Sequence, residues 1–141
     1  MIMTTELGLA AATAALGLFQ IAWGAAEYRR VHGVKYANTA RDTPAPEPDS
    51  PLGARLTRAE NNLLATAPYF IALAVVISLC GLSSPVTRIA SLVYFGARIL
   101  YLPLYAAGVP NLRGLVWTIS FIALAVLAWV AVSAAPWTHL L

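Results

Sequence analysis

The chain has 141 residues, 60% of them hydrophobic and only 11% charged, with a net charge of +3. Soluble domains carry about 25% charged residues, so this composition, with a mean hydropathy of +0.72, argues against a water-soluble fold. The small positive excess gives no reason to expect a nucleic-acid partner, and its placement along the chain reports topology instead.

The first apolar run, Leu7 to Ala26, is interrupted only by Thr13 and Gln20. It predicts a helix over 5–30, and a retained one. The residues before it are Met-Ile-Met-Thr-Thr-Glu, without the positive region a cleaved signal needs. Its alanines, with Gly8, Gly17 and Gly24, suit close helix packing. A proline-rich stretch follows, 36–55, with Pro44, Pro46, Pro48 and Pro51 among Asp42, Glu47 and Asp49. Prolines at this density favour extended polyproline geometry. The stretch reads as a solvated spacer, or as a lip over a site at that face.

The second run, Leu63 to Leu82, is broken by Thr66, Pro68 and Ser78 and predicts a helix over 56–82. The third, Val86 to Val109, contains Arg88 and Arg98 and predicts 86–108. The fourth, Leu115 to Ala135, has no charge and predicts 112–135. Each run is about the 20 residues that cross a bilayer as a helix. The expected fold is an all-α membrane protein, a four-transmembrane-helix bundle in one domain over 1–141. Pro68 and Pro103 each remove a helical hydrogen bond, freeing the carbonyls of Leu64 and Ile99, so bends are expected there.

Basic residues set the orientation. The first loop and its flanks hold Arg29, Arg30, Lys35, Arg41, Arg55 and Arg58, and the third loop holds Arg113. The second loop has only Arg88 and the N-terminal end none. Loops one and three are therefore expected in the cytoplasm, with both termini outside. Cys80 is the single cysteine, and His32 and His139 stand alone in their regions, so no metal is expected.

Several polar residues enter the apolar runs. At 100° per residue, Arg58, Asn62 and Ala65 share one helical face, and Glu60 points nearly opposite. Arg98, Tyr101 and Tyr105 form a second stripe; Arg113 opens the last helix, with Trp117 one turn on. Near helix ends an arginine snorkels, and tyrosines populate interfacial belts, so anchoring is the plain reading of Arg58, Arg113 and the tyrosine pair. Arg98 is different. It lies ten residues before Gly108, about 15 Å along a helix, and mid-membrane arginine costs about 2.5–3.5 kcal/mol. Either the helix extends well into the cytoplasm, or Arg98 has a structural role with a buried polar partner.

"RAENNLLATAP" resembles the second-helix signature of the membrane-associated proteins in eicosanoid and glutathione metabolism, the MAPEG family: Arg-Ala-x-x-Asn, a Glu three positions on, then Pro. "ARILYLPLYAAGVPNLRGLVW" resembles that family's third and fourth helices. "ARD" before the proline-rich loop is similar to a bacterial branch, which implies a bacterial inner membrane. The resemblance covers most of Arg29 to Trp117, in matching order.

The resemblance implies a homotrimer in the bilayer that holds glutathione between subunits near the cytoplasmic surface. Arg58 and Asn62 match positions that hold the tripeptide's polar groups, Tyr101 and Tyr105 match tyrosines lining the pocket, and Arg29 or Arg30 matches a basic position after the first helix. Arg113 matches the arginine credited with activating the thiol, and Glu60 falls where a polar residue reaches across from the adjoining subunit. The expected activity is that of a glutathione transferase or peroxidase acting on a lipophilic small molecule. The alternative is a non-catalytic scaffold or lipid-binding member. Ala65 stands where the signature has its glutamate, which leaves another thiol, another substrate or a binding role open. A small transporter fits less well, since no inverted repeat is visible.

Overall fold

The structure, a computed structural model, describes residues 3–135. It consists of α1 (Thr5–Ala37), α2 (Pro51–Leu64), α3 (Ala67–Leu79), α4 (Pro85–Ala107) and α5 (Pro110–Ser133). Four spans are long and apolar enough to cross a membrane: α1, α2 with α3 taken together, α4 and α5.

Local chemistry explains where the helices begin. The Thr4 hydroxyl accepts from the Leu7 amide at 3.3 Å and caps α1. The Ser50 hydroxyl accepts from Gly53 at 2.9 Å, with Pro51 in the first helical turn. Ser84 and Thr87 cap α4 reciprocally, and Pro85 follows the cap. A side-chain acceptor satisfies an amide that the first turn leaves orphaned, and proline has no amide to orphan there. Pro51 is thus a helix start and not the last proline of a loop, so α2 begins five residues before the expected 56 and the loop shrinks to 38–50. α1 runs past the expected 30 to Ala37, with a kink at Gly33, whose φ of 79° and ψ of 151° are non-helical. Gly108, at φ 77°, closes α4 in the left-handed region.

Pro68 does more than bend its span. The helix ends at Leu64, Thr66 leaves helical geometry at φ −123°, and α3 restarts with the Phe70 amide donating to the Thr66 carbonyl at 3.1 Å. The second span also ends at Leu79, short of the expected 82. Pro103, by contrast, is carried inside α4, which stays helical from Pro85 to Ala107.

One buried apolar cluster joins Phe70, Ala74 and Ile77 of α3 to Tyr94 of α4 and Leu127 of α5. The Phe70 and Tyr94 rings stack at 4.2 Å. Small residues bring α1 against α2: a Cβ on Gly17 would touch Leu63 at 3.8 Å, and one on Gly24 would touch the Glu60 carboxylate at 3.7 Å. Large apolar side chains such as Leu18 and Trp129 point outward, as lipid as solvent allows.

The end of the bundle opposite the proline-rich loop is closed by a charge that the composition hides. Glu6, fully buried, accepts from the Ser83 hydroxyl at 3.0 Å and from that of Thr87. Thr4 and Ser78 share a 2.6 Å hydrogen bond beside it. Hydrogen bonds to a charged group contribute about 1.5–3 kcal/mol. Glu6→Ala is therefore expected to destabilise the bundle by that order, read as a lower unfolding temperature in detergent; an unchanged temperature would remove Glu6 from the closure.

Candidate functional site

The C-terminal turns of α1 and α4 and the first turns of α2 and α5 meet at the end that carries the proline-rich loop. Arg55 of α2 donates from Nη1 to the Ala106 carbonyl at 3.1 Å. Its guanidinium lies so close to Gly108 that a Cβ there would meet Cζ at 2.8 Å. Gly108 is thus required both by its positive φ and by this approach. Sequence reasoning counted Arg55 only toward topology; nothing local marked it as the tie between α2 and α4.

Arg98 is 2% exposed, and α4 ends at Ala107, so the helix does not extend to carry it into water. Its Nη1 donates to Oδ1 of Asn62 at 2.7 Å. The guanidinium carbon also lies 5.3 Å from the Tyr94 ring centroid and 5.7 Å from that of Tyr101. Nε and Nη2 have no partner among the described residues.

From Arg98 a row of side chains continues toward the loop end. Tyr101 and Tyr105 lie with ring centroids 5.3 Å apart, and the Arg113 guanidinium sits 4.5 Å over the Tyr105 ring. Val116, Leu104 and Trp117 pack around Tyr101 and Tyr105. The stripe expected on the third span and the arginine opening the fourth are therefore one structure. Tyr105 holds Arg113 by its face, and Arg113 makes no hydrogen bond or ion pair among the described residues, so its donor edges are free for a ligand.

This row adjoins an apolar surface. Trp117 stacks on Phe121 at 5.3 Å. Phe121 in turn lines a cleft of about 600 Å³ between α3 and α5, with Ala65, Tyr69, Ala72, Ala125 and Ala128. The cleft begins where the second span breaks. Ala65 is exposed there, on the position where the MAPEG signature carries a glutamate.

The remaining candidates do not join the row within one chain. Arg58 is exposed, without a hydrogen bond or ion pair among the described residues, one turn before half-buried Asn62. Glu60 faces Gly24 of α1. Arg30 is engaged already: Nε and Nη2 donate to Glu27 at 2.8 and 2.7 Å, and Glu27 also accepts from Ser50 at 2.6 Å. Arg29 lies in a separate groove with Tyr28 and Arg41.

The proline-rich segment is strapped to α1, which a free spacer would not be. Asp49 meets buried His32 at 2.9 Å, and the Tyr36 hydroxyl donates to the Thr43 carbonyl at 2.8 Å. The His32 ring packs 4.3 Å from that of Tyr28. Among the described residues no group of three or more His, Cys, Asp or Glu side chains is placed to hold a metal ion. Cys80 is exposed, and His139 lies outside the described residues.

No curated protein and no solved structure matches the chain. The model of the MAPEG family matches residues 7–133, which take in all but the first two residues of the four spans and every residue of the row from Asn62 to Arg113. An integral membrane protein of four apolar spans, matched over nearly its whole length, this chain belongs to the MAPEG family.

Proposed function

We propose that this protein binds a thiol, glutathione in the first place, at the loop end of the bundle, and activates it for attack on a lipophilic electrophile or hydroperoxide. The observation that carries the reading is Arg113, held face-on by Tyr105 at 4.5 Å with no acid among the described residues to neutralise it. A free thiol titrates near 8.5, and lowering that by about two units takes about 2.7 kcal/mol. A cation at about 4 Å in a medium of effective dielectric near 20 supplies about 4 kcal/mol, so one arginine suffices.

In this reading Arg113 holds the thiolate and the thiol proton leaves to water. The sulfur attacks the electrophilic carbon, forming the C–S bond as the leaving group departs. With a hydroperoxide, the sulfur takes the terminal oxygen as the O–O bond breaks and the alcohol leaves, and a second thiol then displaces that oxygen from the sulfenic acid as water, forming the disulfide. Glutathione carries two carboxylates, and Arg58, with its donor fork free, suits one of them. Asn62, Tyr101 and Tyr105 offer neutral hydrogen-bonding groups, with Glu60 reaching in from an adjoining subunit. The apolar cleft that starts at Ala65 gives the lipophilic partner a path from the bilayer. The distribution of basic residues supports an orientation with this end in the cytoplasm and both termini outside, and the likeness of the ARD stretch to a bacterial branch supports a bacterial inner membrane.

The test is an ultraviolet difference spectrum of the purified protein with glutathione. A thiolate band at neutral pH is expected; bound glutathione without that band would sink the reading. Trimeric assembly is part of the same proposal, because Arg58 and Arg113 do not come together within one chain, and glutathione needs cations for its carboxylates as well as for the thiolate. Native mass spectrometry in mild detergent should give three subunits, and a monodisperse monomer would refute a shared site. A second reading, a lipid-binding scaffold without catalysis, is favoured by two observations: an alanine at 65 and the size of the apolar cleft beside it.

A further inference from the structure

The C-terminal half of α1 carries a second cationic feature, separate from the row that ends at Arg113. Arg29 and Arg41 line a groove of about 240 Å³ with Tyr28, Gly24, Ala25 and Ala37; water in the liquid occupies about 30 Å³ per molecule. Three of the lining residues are small, so a bound group can approach the main chain closely. Arg41 reaches back to the groove from the loop. Its guanidinium lies 4.7 Å over the Tyr28 ring, and its Nη2 donates to the Ala37 carbonyl at 3.3 Å. Arg41 adopts a φ of 61°, the one positive φ at a non-glycine among the described residues. That conformation is uncommon for a side chain of this size.

The nearby acids do not neutralise this pair. Glu27 is taken by Arg30 and Ser50, and Asp49 by His32. Asp42, next in sequence to Arg41, is exposed and forms no ion pair among the described residues. Arg29 likewise forms none. Glu60, whose carboxylate faces Gly24 at the edge of the groove, forms no ion pair with either arginine, so among the described residues the two guanidiniums share the groove unpaired, an arrangement suited to a phosphate.

What lies along α1 below the groove identifies the kind of phosphate. Leu18, Ile21, Ala25 and Arg29 recur at i, i+3, i+7 and i+11, one face of a helix. Leu18 is 70% exposed and Ile21 45% exposed. From Leu18 to Arg29 the rise is about 16 Å, roughly half of a hydrocarbon core about 30 Å thick. An apolar lane one leaflet long thus leads up to the groove. We propose that the Arg29–Arg41 groove binds the phosphate of an anionic phospholipid, with an acyl chain lying along Leu18 and Ile21. This assigns Arg29 to a lipid and leaves the thiol to Arg58 and Arg113. It does not depend on the thiol chemistry.

The test is native mass spectrometry of the purified protein in mild detergent, with phosphatidylglycerol or phosphatidylcholine added, and with inorganic phosphate as competitor. Phosphatidylglycerol is expected to be retained over phosphatidylcholine, whose choline would face two arginines. Arg29→Gln and Arg41→Gln should each lower its retention about fivefold, the ratio for about 1 kcal/mol per basic residue at a membrane surface. The double variant should lower it about 30-fold, whereas Arg88→Gln, at the other end of the bundle, should change nothing. Helical circular dichroism confirms that each variant is folded. Equal retention of both lipids, or an unchanged double variant, would overturn the proposal. Displacement of phosphatidylglycerol by an equal concentration of inorganic phosphate would overturn the lipid assignment and make the groove a site for free phosphate.

Discussion

Arg113→Ala is expected to abolish the thiolate band of bound glutathione at neutral pH while leaving the bundle and its assembly intact. If the arginine lowers the thiol's titration by about two pH units, removing it returns the thiol toward 8.5. At pH 7 the thiolate is then only a few per cent of the bound thiol. Arg113→Lys separates charge from geometry: it keeps a cation but lacks the planar face that lies 4.5 Å over Tyr105. A partial band is expected. Arg58→Ala should behave differently, weakening glutathione binding without moving the titration of what remains bound, because it removes a carboxylate partner and not the activating charge. Equal loss of the band in Arg58→Ala and Arg113→Ala would separate neither role and would contradict the assignment of activation to Arg113.

Arg98 is the position where substitution should cost most in stability, and where the replacement decides the cause. Arg98→Ala leaves a cavity between the Tyr94 and Tyr101 rings and takes the donor from Asn62. A loss of about 3 kcal/mol is expected, within the range for large-to-small changes in a packed interior. Arg98→Met fills most of that volume without a charge. Two of the guanidinium nitrogens have no partner among the described residues, and replacing a poorly compensated buried ion by an apolar side chain is often neutral or stabilising. Arg98→Met should therefore unfold within about 1 kcal/mol of the parent protein in detergent. If it loses as much as Arg98→Ala, the charge itself is needed and packing is not the reason for an arginine at this position.

Ala65 tests how this member uses the position where the signature has a glutamate. Ala65 is exposed at the mouth of the apolar cleft, one turn from Asn62. If the site takes glutathione and lacks only that contact, Ala65→Glu should tighten binding by about 1.5–3 kcal/mol, the scale of a charge-assisted hydrogen bond. If the cleft serves an apolar ligand instead, the carboxylate should leave glutathione affinity unchanged and weaken binding of the lipophilic partner. Calorimetry with each ligand distinguishes the two.

The four spans were legible in the sequence because the bilayer imposes them residue by residue: about 20 apolar residues cross it whatever they later pack against. The Arg98-Tyr101-Tyr105 stripe was legible for a similar reason, since helical spacing alone puts those residues on one face. Pro51 was misread because proline in a loop and proline in the first turn of a helix have the same composition. Only the Ser50 cap, closing on Gly53 at 2.9 Å, tells them apart. Tertiary structure alone decided which charges were already engaged. Arg29 and Arg30 are neighbours in sequence, yet Arg30 is held by both oxygens of Glu27 while Arg29 is free for a ligand. The partners of Glu6 lie 77 and 81 positions away, at Ser83 and Thr87, and Arg98 finds Asn62 across 36. A polar side chain in lipid must be satisfied inside the protein. Sequence shows that the demand exists, and only the packing of the helices determines which group meets it.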